Sequence, residues 1–230
     1  MIKKKLVVLT GAGISAESGL KTFRDSDGLW MGYSIEDVAT PRGFMKDPAL
    51  VLEFYNQRRR DVASVLPNEA HLGLAALEEY FDVTIITQNI DDLHERGGSS
   101  NVMHLHGEIF KMHSIGKPGD IFDIRDDILP GDKGPDGTQL RPQIVWFEEP
   151  VPMIEKAVLL LKNADIFVVI GTSLQVYPAA ALLHYAPPGM DKYIIDKKIP
   201  ALNSYRDIHT IEMPATEGVK ELIRLLLIDP

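Results

Sequence analysis

The chain has 230 residues, with 24 Lys and Arg against 33 Asp and Glu, a net charge of −9, and 45% hydrophobic residues. This acidic balance argues against nucleic acid as a partner, because contact with phosphate backbones requires a basic surface. Cysteine is absent, which excludes disulfides and thiolate zinc sites. No apolar run approaches the ~20 residues of a membrane span, and we expect a monomeric, cytoplasmic protein without a membrane partner.

Four short apolar runs are typical of strands buried on both faces of a parallel sheet. They cover residues 6–9, 83–86, 166–170 and 193–195. Helical patterns lie between or after them, at residues 70–80, 153–162 and 217–227. This order predicts an α/β fold with a doubly wound, Rossmann-like parallel sheet.

Two stretches interrupt the alternation. Residues 25–66 contain a predicted helix at 48–65, and residues 106–139 are rich in Gly, Asp and Pro. We expect both insertions to lie outside the sheet and to build a smaller domain. The Rossmann-like core would then comprise residues 1–24, 67–105 and 140–230.

The turn after the first strand fits the pattern G-x-G-x-x-G/A, with Gly11, Ala12, Gly13, Ser15 and Ala16. Glycines at these positions let the backbone approach a pyrophosphate, and a small third residue lets a helix pack near the strand. A purely structural turn is the alternative, because the acidic ribose ligand expected about 20 residues later has no clear candidate.

Polar side chains follow the second predicted strand. Gln88, Asn89 and Asp91 lie at its carboxyl end, where doubly wound sheets bind ligands and amides can bond ribose hydroxyls or a carboxamide. A plain turn with Asp91 as a helix cap is equally consistent. His106 is the best candidate for a general base, because imidazole titrates near neutral pH, although a lone histidine is more often structural.

Tyr55 and Arg58 are three residues apart on a predicted helix and therefore share a face. A phenol beside a guanidinium suits a carboxylate, because Arg offers a fork of donors. The alternative is an arginine run that faces water, since Arg59 and Arg60 follow directly.

Five ordered motifs together resemble the sirtuins, which are NAD-dependent protein deacylases. They are GAGISAESGLKTFR at residues 11–24, TQNIDDLH at 87–94, LHGE at 105–108, RPQIVWF at 141–147 and GTSLQVYPA at 171–179. Leu20 and Lys21 stand where the family usually has Ile and Pro. The resemblance covers nearly the whole chain.

The resemblance implies NAD as the cofactor, with its pyrophosphate held by the glycine turn. Phe23 would shield the ribose carbon from water, and Arg24 would hold the cofactor in its reactive bend. Gln88 would contact the nicotinamide ribose, with Asn89 and Asp91 in the nicotinamide pocket. The other implied cofactor-binding residues are Trp30, Ile90, Gly171, Thr172, Ser173 and Asp196, the last where the family often has Asn.

The resemblance also implies a reaction on acylated lysine side chains of proteins or peptides. The acyl oxygen attacks the ribose carbon and nicotinamide departs. His106 then activates a ribose hydroxyl toward the imidate carbon, which yields free lysine and O-acyl-ADP-ribose. A mono-ADP-ribosyltransferase and a non-enzymatic sensor of NAD or ADP-ribose are the rival functions on this scaffold.

Substrate binding is implied for two places in the chain. Val145 and Phe147 belong to a strand that would pair with the substrate backbone, and Glu148 follows that strand. The family usually has Gly in place of Glu148, and Glu tolerates poorly the backbone angles that Gly permits. The pair of Tyr55 and Arg58 matches the class III sirtuins, which remove succinyl, malonyl or glutaryl groups.

Most sirtuins hold a structural zinc through two Cys pairs in the second insertion, and this chain has no cysteine. We therefore expect no metal, as in the zinc-less bacterial type. The module would instead be held by packing of its apolar side chains, namely Ile115, Ile121, Phe122, Ile124, Ile128 and Leu129.

Overall fold

The computed structural model describes residues 2–22, 29–30, 32–199 and 207–227, with the backbone alone for residues 29–30. Its strands are β1 (Lys5–Thr10), β2 (Leu29–Trp30), β3 (Tyr33–Ser34), β4 (Asp82–Thr87), β5 (Val102–His104), β6 (Gly107–Ser114), β7 (Lys117–Asp123), β8 (Leu140–Ile144), β9 (Ile166–Ile170), β10 (Asp191–Asp196) and β11 (Ile208–Glu212). Its α-helices are α1 (Ile35–Val38), α2 (Pro41–Lys46), α3 (Pro48–Ser64), α4 (Glu69–Ala76), α5 (Leu93–Arg96), α6 (Ile154–Lys162) and α7 (Ala215–Leu227).

The central sheet has six parallel strands in the order β11-β10-β9-β1-β4-β5. The chain runs outward from β1 through β4 to β5 on one side, and then from β9 through β10 to β11 on the other. Beyond the carboxyl ends of β1 and β9 the order reverses, and such switch points are where doubly wound sheets bind ligands. The predicted Rossmann-like fold is confirmed.

Both faces of this sheet are covered, which explains why its strands do not alternate in polarity. On β1, Leu6 and Val8 face a cluster that includes Leu74 of α4 and Leu222 of α7. Val7 and Leu9 face the opposite cluster, which contains α6 and a 3-10 helix at Ala179–Tyr185. Each fully buried aliphatic side chain of this kind contributes about 1.5–3 kcal/mol.

A second, antiparallel sheet has the strand order β7-β6-β8 and packs with helices α1 to α3. Its strand β8 begins at Leu140, so this sheet extends past residue 139, where the sequence analysis placed the end of the second insertion. Strand β8 ends at Ile144, whereas the resemblance implied a strand through residue 147.

Polar contacts join α3 to β6 and to the segment that follows β7. The buried Arg59 donates from Nε to the Ile109 carbonyl at 2.9 Å and from Nη1 to the Asp126 carbonyl at 3.2 Å. Asn56 exchanges two bonds of 2.9 Å with the backbone of Ile128. The expected apolar packing is wrong for Ile115, Ile121 and Leu129, which are each about half exposed.

None of the helices within the described ranges is both long and apolar enough to cross a membrane.

Candidate active site

A cavity of about 630 Å³ opens beyond the carboxyl ends of β1, β4 and β9, between the two sheets. It brings together 19 of the 22 predicted site residues: Gly11, Ala12, Gly13, Ser15, Ala16, Tyr55, Arg58, Gln88, Asn89, Ile90, Asp91, His106, Val145, Phe147, Glu148, Gly171, Thr172, Ser173 and Asp196. Phe23, Arg24 and the side chain of Trp30 lie outside the described residues.

The glycine turn packs directly on the end of β9. The Gly13 N–H donates to the Gly171 carbonyl at 2.8 Å, and the Gly11 N–H donates to the Ile170 carbonyl at 3.0 Å. A Cβ on Gly13 would lie 2.6 Å from the Gly171 Cα. The close backbone approach permitted by these glycines is therefore an approach to β9. The turn continues as two short 3-10 helices, Ala12–Ile14 and Ala16–Ser18, rather than as a long α-helix.

Three buried polar side chains form one hydrogen-bonded group on the floor of the cavity. Asn89 donates from Nδ2 to Ser15 Oγ at 3.1 Å, and Ser15 donates to Asp91 Oδ2 at 3.1 Å. Asp91 also accepts the Leu93 N–H at 3.2 Å, but the N-cap of α5 is Asp92, so the alternative of Asp91 as the helix cap is wrong. Burial raises the pKa of Asp91, against the lowering effect of the Leu93 and Ser15 bonds.

His106 lies between β5 and β6 with a defined ring orientation. Its Nδ1 is 3.0 Å from the Gln88 carbonyl, which can only accept, so Nδ1 carries the proton and Nε2 has the free lone pair. Burial lowers the pKa of His106, although the bond to Gln88 opposes the shift. The ring is therefore neutral near pH 7, which is the state that a general base requires.

The arginine run at the centre of α3 divides among three environments. Arg58 faces the cavity, where burial lowers its pKa and the nearby Asp91 carboxylate opposes that shift. Arg59 is buried in the small domain, and Arg60 lies on the surface, where it pairs with Glu53 and Asp127. The alternative of a run that faces water holds for Arg60 alone.

The chain leaves β8 after Ile144 and turns sharply. Glu148 has φ of 74°, in the left-handed region that glycine adopts most readily. Its carboxylate forms an ion pair with Arg42 of α2, at the surface. Phe147 is partly exposed, and its N–H donates to the Ala39 carbonyl at 3.0 Å.

The sequence analysis missed three residues at this site, namely Arg141, Trp146 and Glu149. Trp146 lies in the cavity wall with its ring centroid 6.3 Å from that of Tyr55. Arg141 and Glu149 form a two-pronged ion pair behind the indole. The eight-residue spacing of these two opposite charges across the turn was the available signal, although it is a weak one.

Within the described ranges, one group of side chains has distances suited to a metal, and it consists of Glu95, His104 and Glu108. Its carboxylates already have partners, because Glu95 is 2.8 Å from His104 and Glu108 is 2.6 Å from Lys111. The residues considered as substitutes for a cysteine zinc site, namely His113, Asp120, Asp123 and Asp126, do not come together in such a group.

Comparison with known proteins identifies the family. The model of the Sir2 family matches residues 11–178. The chain belongs to the Sir2 family. A Bacteroides thetaiotaomicron protein called an NAD-dependent protein deacylase is 55% identical to it, over 99% of this chain and 100% of that protein. A Helicobacter pylori (strain 26695) protein of the same name is 49% identical, over 97% of this chain and 98% of the relative.

A solved structure of a Sir2 homologue in complex with NAD is also similar. It has a TM-score of 0.88 and 39% sequence identity, over 99% of this chain and 91% of that one. The sirtuin resemblance drawn from the five motifs is confirmed.

Proposed function

We propose that this Sir2-family chain is an NAD-dependent protein-lysine deacylase that removes acetyl groups and also the acidic succinyl and malonyl groups. The observation that carries the proposal is that one cavity is lined by the glycine turn, by His106 and by the pair of Tyr55 and Arg58. These are the parts needed to hold a dinucleotide, to move a proton and to recognise an acyl carboxylate.

The residues present suit NAD. Asn89 and Asp91 are nearly buried and supply amide and carboxylate groups that match a nicotinamide carboxamide. Gln88 and Asp196 offer partners for ribose hydroxyls, and the glycine turn supports the pyrophosphate. When bound, NAD supplies a ribose carbon that can exchange its bond to nicotinamide for a bond to the acyl oxygen.

His106 acts as the general base. Its Nδ1–H is held by the Gln88 carbonyl, so Nε2 is the atom that accepts a proton from a ribose hydroxyl. Burial keeps the ring neutral, because the imidazolium form loses more solvation than the neutral form. A mono-ADP-ribosyltransferase would not need this proton transfer, which favours the deacylase.

Tyr55 and Arg58 recognise the carboxylate of the acyl group. The Tyr55 side chain is buried and that of Arg58 is half-buried, and burial raises the Tyr55 pKa, so the phenol stays protonated and able to donate. A guanidinium in such a setting binds a carboxylate more strongly than an exposed one does, because competing water is excluded. A succinyl or malonyl carboxylate is therefore favoured over the uncharged methyl end of an acetyl group.

The test is a panel of acetyl-, succinyl- and malonyl-lysine peptides, with and without NAD, followed by mass spectrometry. We expect O-acyl-ADP-ribose, nicotinamide and free lysine from each peptide only when NAD is present. ADP-ribosylated protein would indicate the transferase, and no turnover would indicate a sensor. Light scattering on the same sample checks the expected monomer.

Two variants assign the roles. His106→Ala should abolish deacylation of every peptide. Arg58→Met should weaken desuccinylation at least tenfold more than deacetylation, whereas Arg60→Met, two residues further along the same helix but on the surface, should change neither. Equal losses for both peptides in Arg58→Met would mean that Arg58 does not read the acyl carboxylate.

A further inference from the structure

A second cavity, with a volume of about 330 Å³, adjoins the active-site cavity and shares Ile90 and Asp91 with it. His104, the last residue of β5, lines this second cavity, and its side chain is only 8% exposed. The reaction outlined above assigns no role to His104. Its position next to the residues that would hold nicotinamide therefore calls for an explanation.

The hydrogen bonds of His104 define its charge. Its Nδ1 lies 2.9 Å from the Asn89 carbonyl oxygen, and its Nε2 lies 2.8 Å from the Glu95 carboxylate. A carbonyl and an ionised carboxylate can only accept, so both ring nitrogens donate and the ring is an imidazolium. His106 differs in this respect, because only its Nδ1 faces a carbonyl.

The electrostatics of both partners agree with an ion pair. Burial opposes a charge on the His104 ring, but the bond to Glu95 and the charge of its carboxylate outweigh burial, so the pKa of His104 is raised. Burial alone would raise the pKa of Glu95, but the bond from His104 outweighs it, so that pKa is lowered. The positive charge is therefore stabilised inside a largely buried site.

Most of the other charges around this ring are paired with one another. The Glu108 carboxylate lies 4.0 Å from His104 Nε2 but only 2.6 Å from the Lys111 ammonium. Arg125 lies 3.6 Å from Asp92. Besides His104 and Glu95, the charged residues that line the second cavity are Asp91, Asp92, Glu108, Lys111, Asp123 and Arg125.

Asp91 is the buried carboxylate in this arrangement, since Asp123 is exposed to solvent. Burial raises the pKa of Asp91, and the positive charge of His104 is one of the influences that oppose this shift. The neighbouring His94 supplies no such charge, because burial lowers its pKa well below the ordinary value. His104 therefore favours the ionised form of Asp91, which accepts an amide N–H more strongly than the protonated form.

The same ring also holds the main chain of Asn89. The Asn89 N–H donates to Thr87 Oγ1 at 3.0 Å, while the Asn89 carbonyl accepts from His104, so the peptide groups on both sides of this residue are fixed. The Asn89 side chain then donates to Ser15 Oγ at 3.1 Å and to the Gly11 carbonyl at 3.2 Å. These contacts orient the Asn89 amide in the active-site cavity.

We propose that His104 is a positively charged positioning residue, which Glu95 holds in place and which keeps Asn89 and Asp91 arranged to bind the nicotinamide end of NAD. This inference rests on the proposed function, because it takes Asn89 and Asp91 as the nicotinamide pocket. It gives the ion pair of the second cavity a role in cofactor binding.

Calorimetry on His104→Asn, with NAD and ADP-ribose as two separate ligands, tests the inference. Asparagine can still donate to the Asn89 carbonyl but carries no charge, and ADP-ribose lacks nicotinamide. We expect Kd for NAD to rise about tenfold, because hydrogen bonds to the Asp91 carboxylate are weakened, and Kd for ADP-ribose to stay within about twofold. The control is His209→Asn, an exposed histidine of β11 that lines neither cavity, and it should change neither Kd.

Other outcomes separate the failures. Equal rises in Kd for both ligands, or no rise for either, would overturn the positioning role of His104 and leave the deacylase assignment intact. A wild-type protein that does not bind NAD, and releases no nicotinamide when given an acyl-peptide, would overturn the proposed function and this inference with it.

A second variant, Glu95→Gln, tests the charge of His104 and serves if His104→Asn does not fold. NAD affinity should fall as the pH rises through the pKa of His104, because the imidazolium loses its proton there. Without the Glu95 carboxylate this pKa is no longer raised, so the fall should occur at a lower pH in Glu95→Gln than in the wild-type enzyme. ADP-ribose affinity should show no such step, and an unchanged midpoint for NAD would contradict the proposal.

A divalent cation held by Glu95, His104 and Glu108 is the competing explanation, since it would take the place of the proton on His104 Nε2. Under the proposal, the wild-type enzyme has the same NAD affinity before and after dialysis against EDTA. A loss of affinity that added zinc or manganese restores would overturn the role of the imidazolium.

Discussion

The contact between Gly171 and the glycine turn predicts the effect of a single added methyl group. Gly171 has φ of 62°, and a Cβ there would lie 2.5 Å from the Ile14 nitrogen and 2.7 Å from the Gly13 Cα. Both neighbours are backbone atoms, so no side chain can rotate away. In Gly171→Ala the turn must therefore separate from the end of β9.

The magnitude follows from three contributions. A left-handed backbone costs an L-residue about 1–2 kcal/mol. Forcing packed backbone apart costs about 1–3 kcal/mol, taken from overpacked cores. Alanine also lowers the conformational entropy of the unfolded chain, which offsets about 0.4–1 kcal/mol of this destabilisation. The net loss of stability is about 3 kcal/mol, which corresponds to a fall in Tm of roughly 6–12 °C for a chain of this length.

Thermal unfolding followed by circular dichroism measures the stability, and calorimetry measures NAD binding. We expect Gly171→Ala to lower both the Tm and the affinity for NAD, because the displaced turn lines the cofactor cavity. The control is Gly119→Ala on β7, where a Cβ would meet nothing within 4 Å. If Gly171→Ala unfolds at the wild-type temperature and binds NAD normally, the inferred contact between the turn and β9 is wrong.

Three further predictions concern pH and backbone strain. The acid limb of kcat/KM should lie below pH 6.5, because burial lowers the pKa of His106; a limb above pH 7 would exclude it as the base. Burial lowers the pKa of His71 to about 4, so the unfolded state binds more protons than the folded state between pH 6.5 and pH 4. Within this range, the free energy of unfolding should fall by about 1.4 kcal/mol for each unit by which the pH is lowered. Urea titrations at pH 7 and pH 5 measure this loss, and equal stability would contradict it. Glu148→Gly should be more stable than Glu148→Ala by about 1 kcal/mol, because φ of 74° suits glycine; the reverse order in urea would show that this strain is absent.

The central strands could be predicted because burial on both faces leaves a plain apolar run in the sequence. The two edge strands could not. Strand β5 has only three residues, and β11 reads IHTIE, a mixed pattern with four of its five residues at least partly exposed. The small sheet could not be predicted for a related reason, since most residues of β7 are exposed and its sequence contains Pro118 and Gly119.

The site residues that belong to a sequence motif could be predicted. Those whose environment is determined by tertiary packing were harder to predict. Nothing local distinguishes the half-buried Arg58, which lines the cavity, from the exposed Arg60, because their environments depend on how α3 is oriented against the sheets. The ion pair of Arg141 with Glu149 likewise exists only after the turn beyond β8 has closed. Glu148 could be recognised as unusual, but its partner Arg42 lies 106 residues away in sequence.

The central claim is that one cavity breaks the bond between ribose and nicotinamide in order to take an acyl group from lysine. The most direct measurement follows nicotinamide, free lysine and O-acyl-ADP-ribose in one reaction of purified protein with NAD and an acyl-peptide. The account predicts equal amounts of the three products from the wild-type enzyme and no O-acyl-ADP-ribose from His106→Ala. Lysine released without NAD, or without an equal amount of nicotinamide, would contradict it.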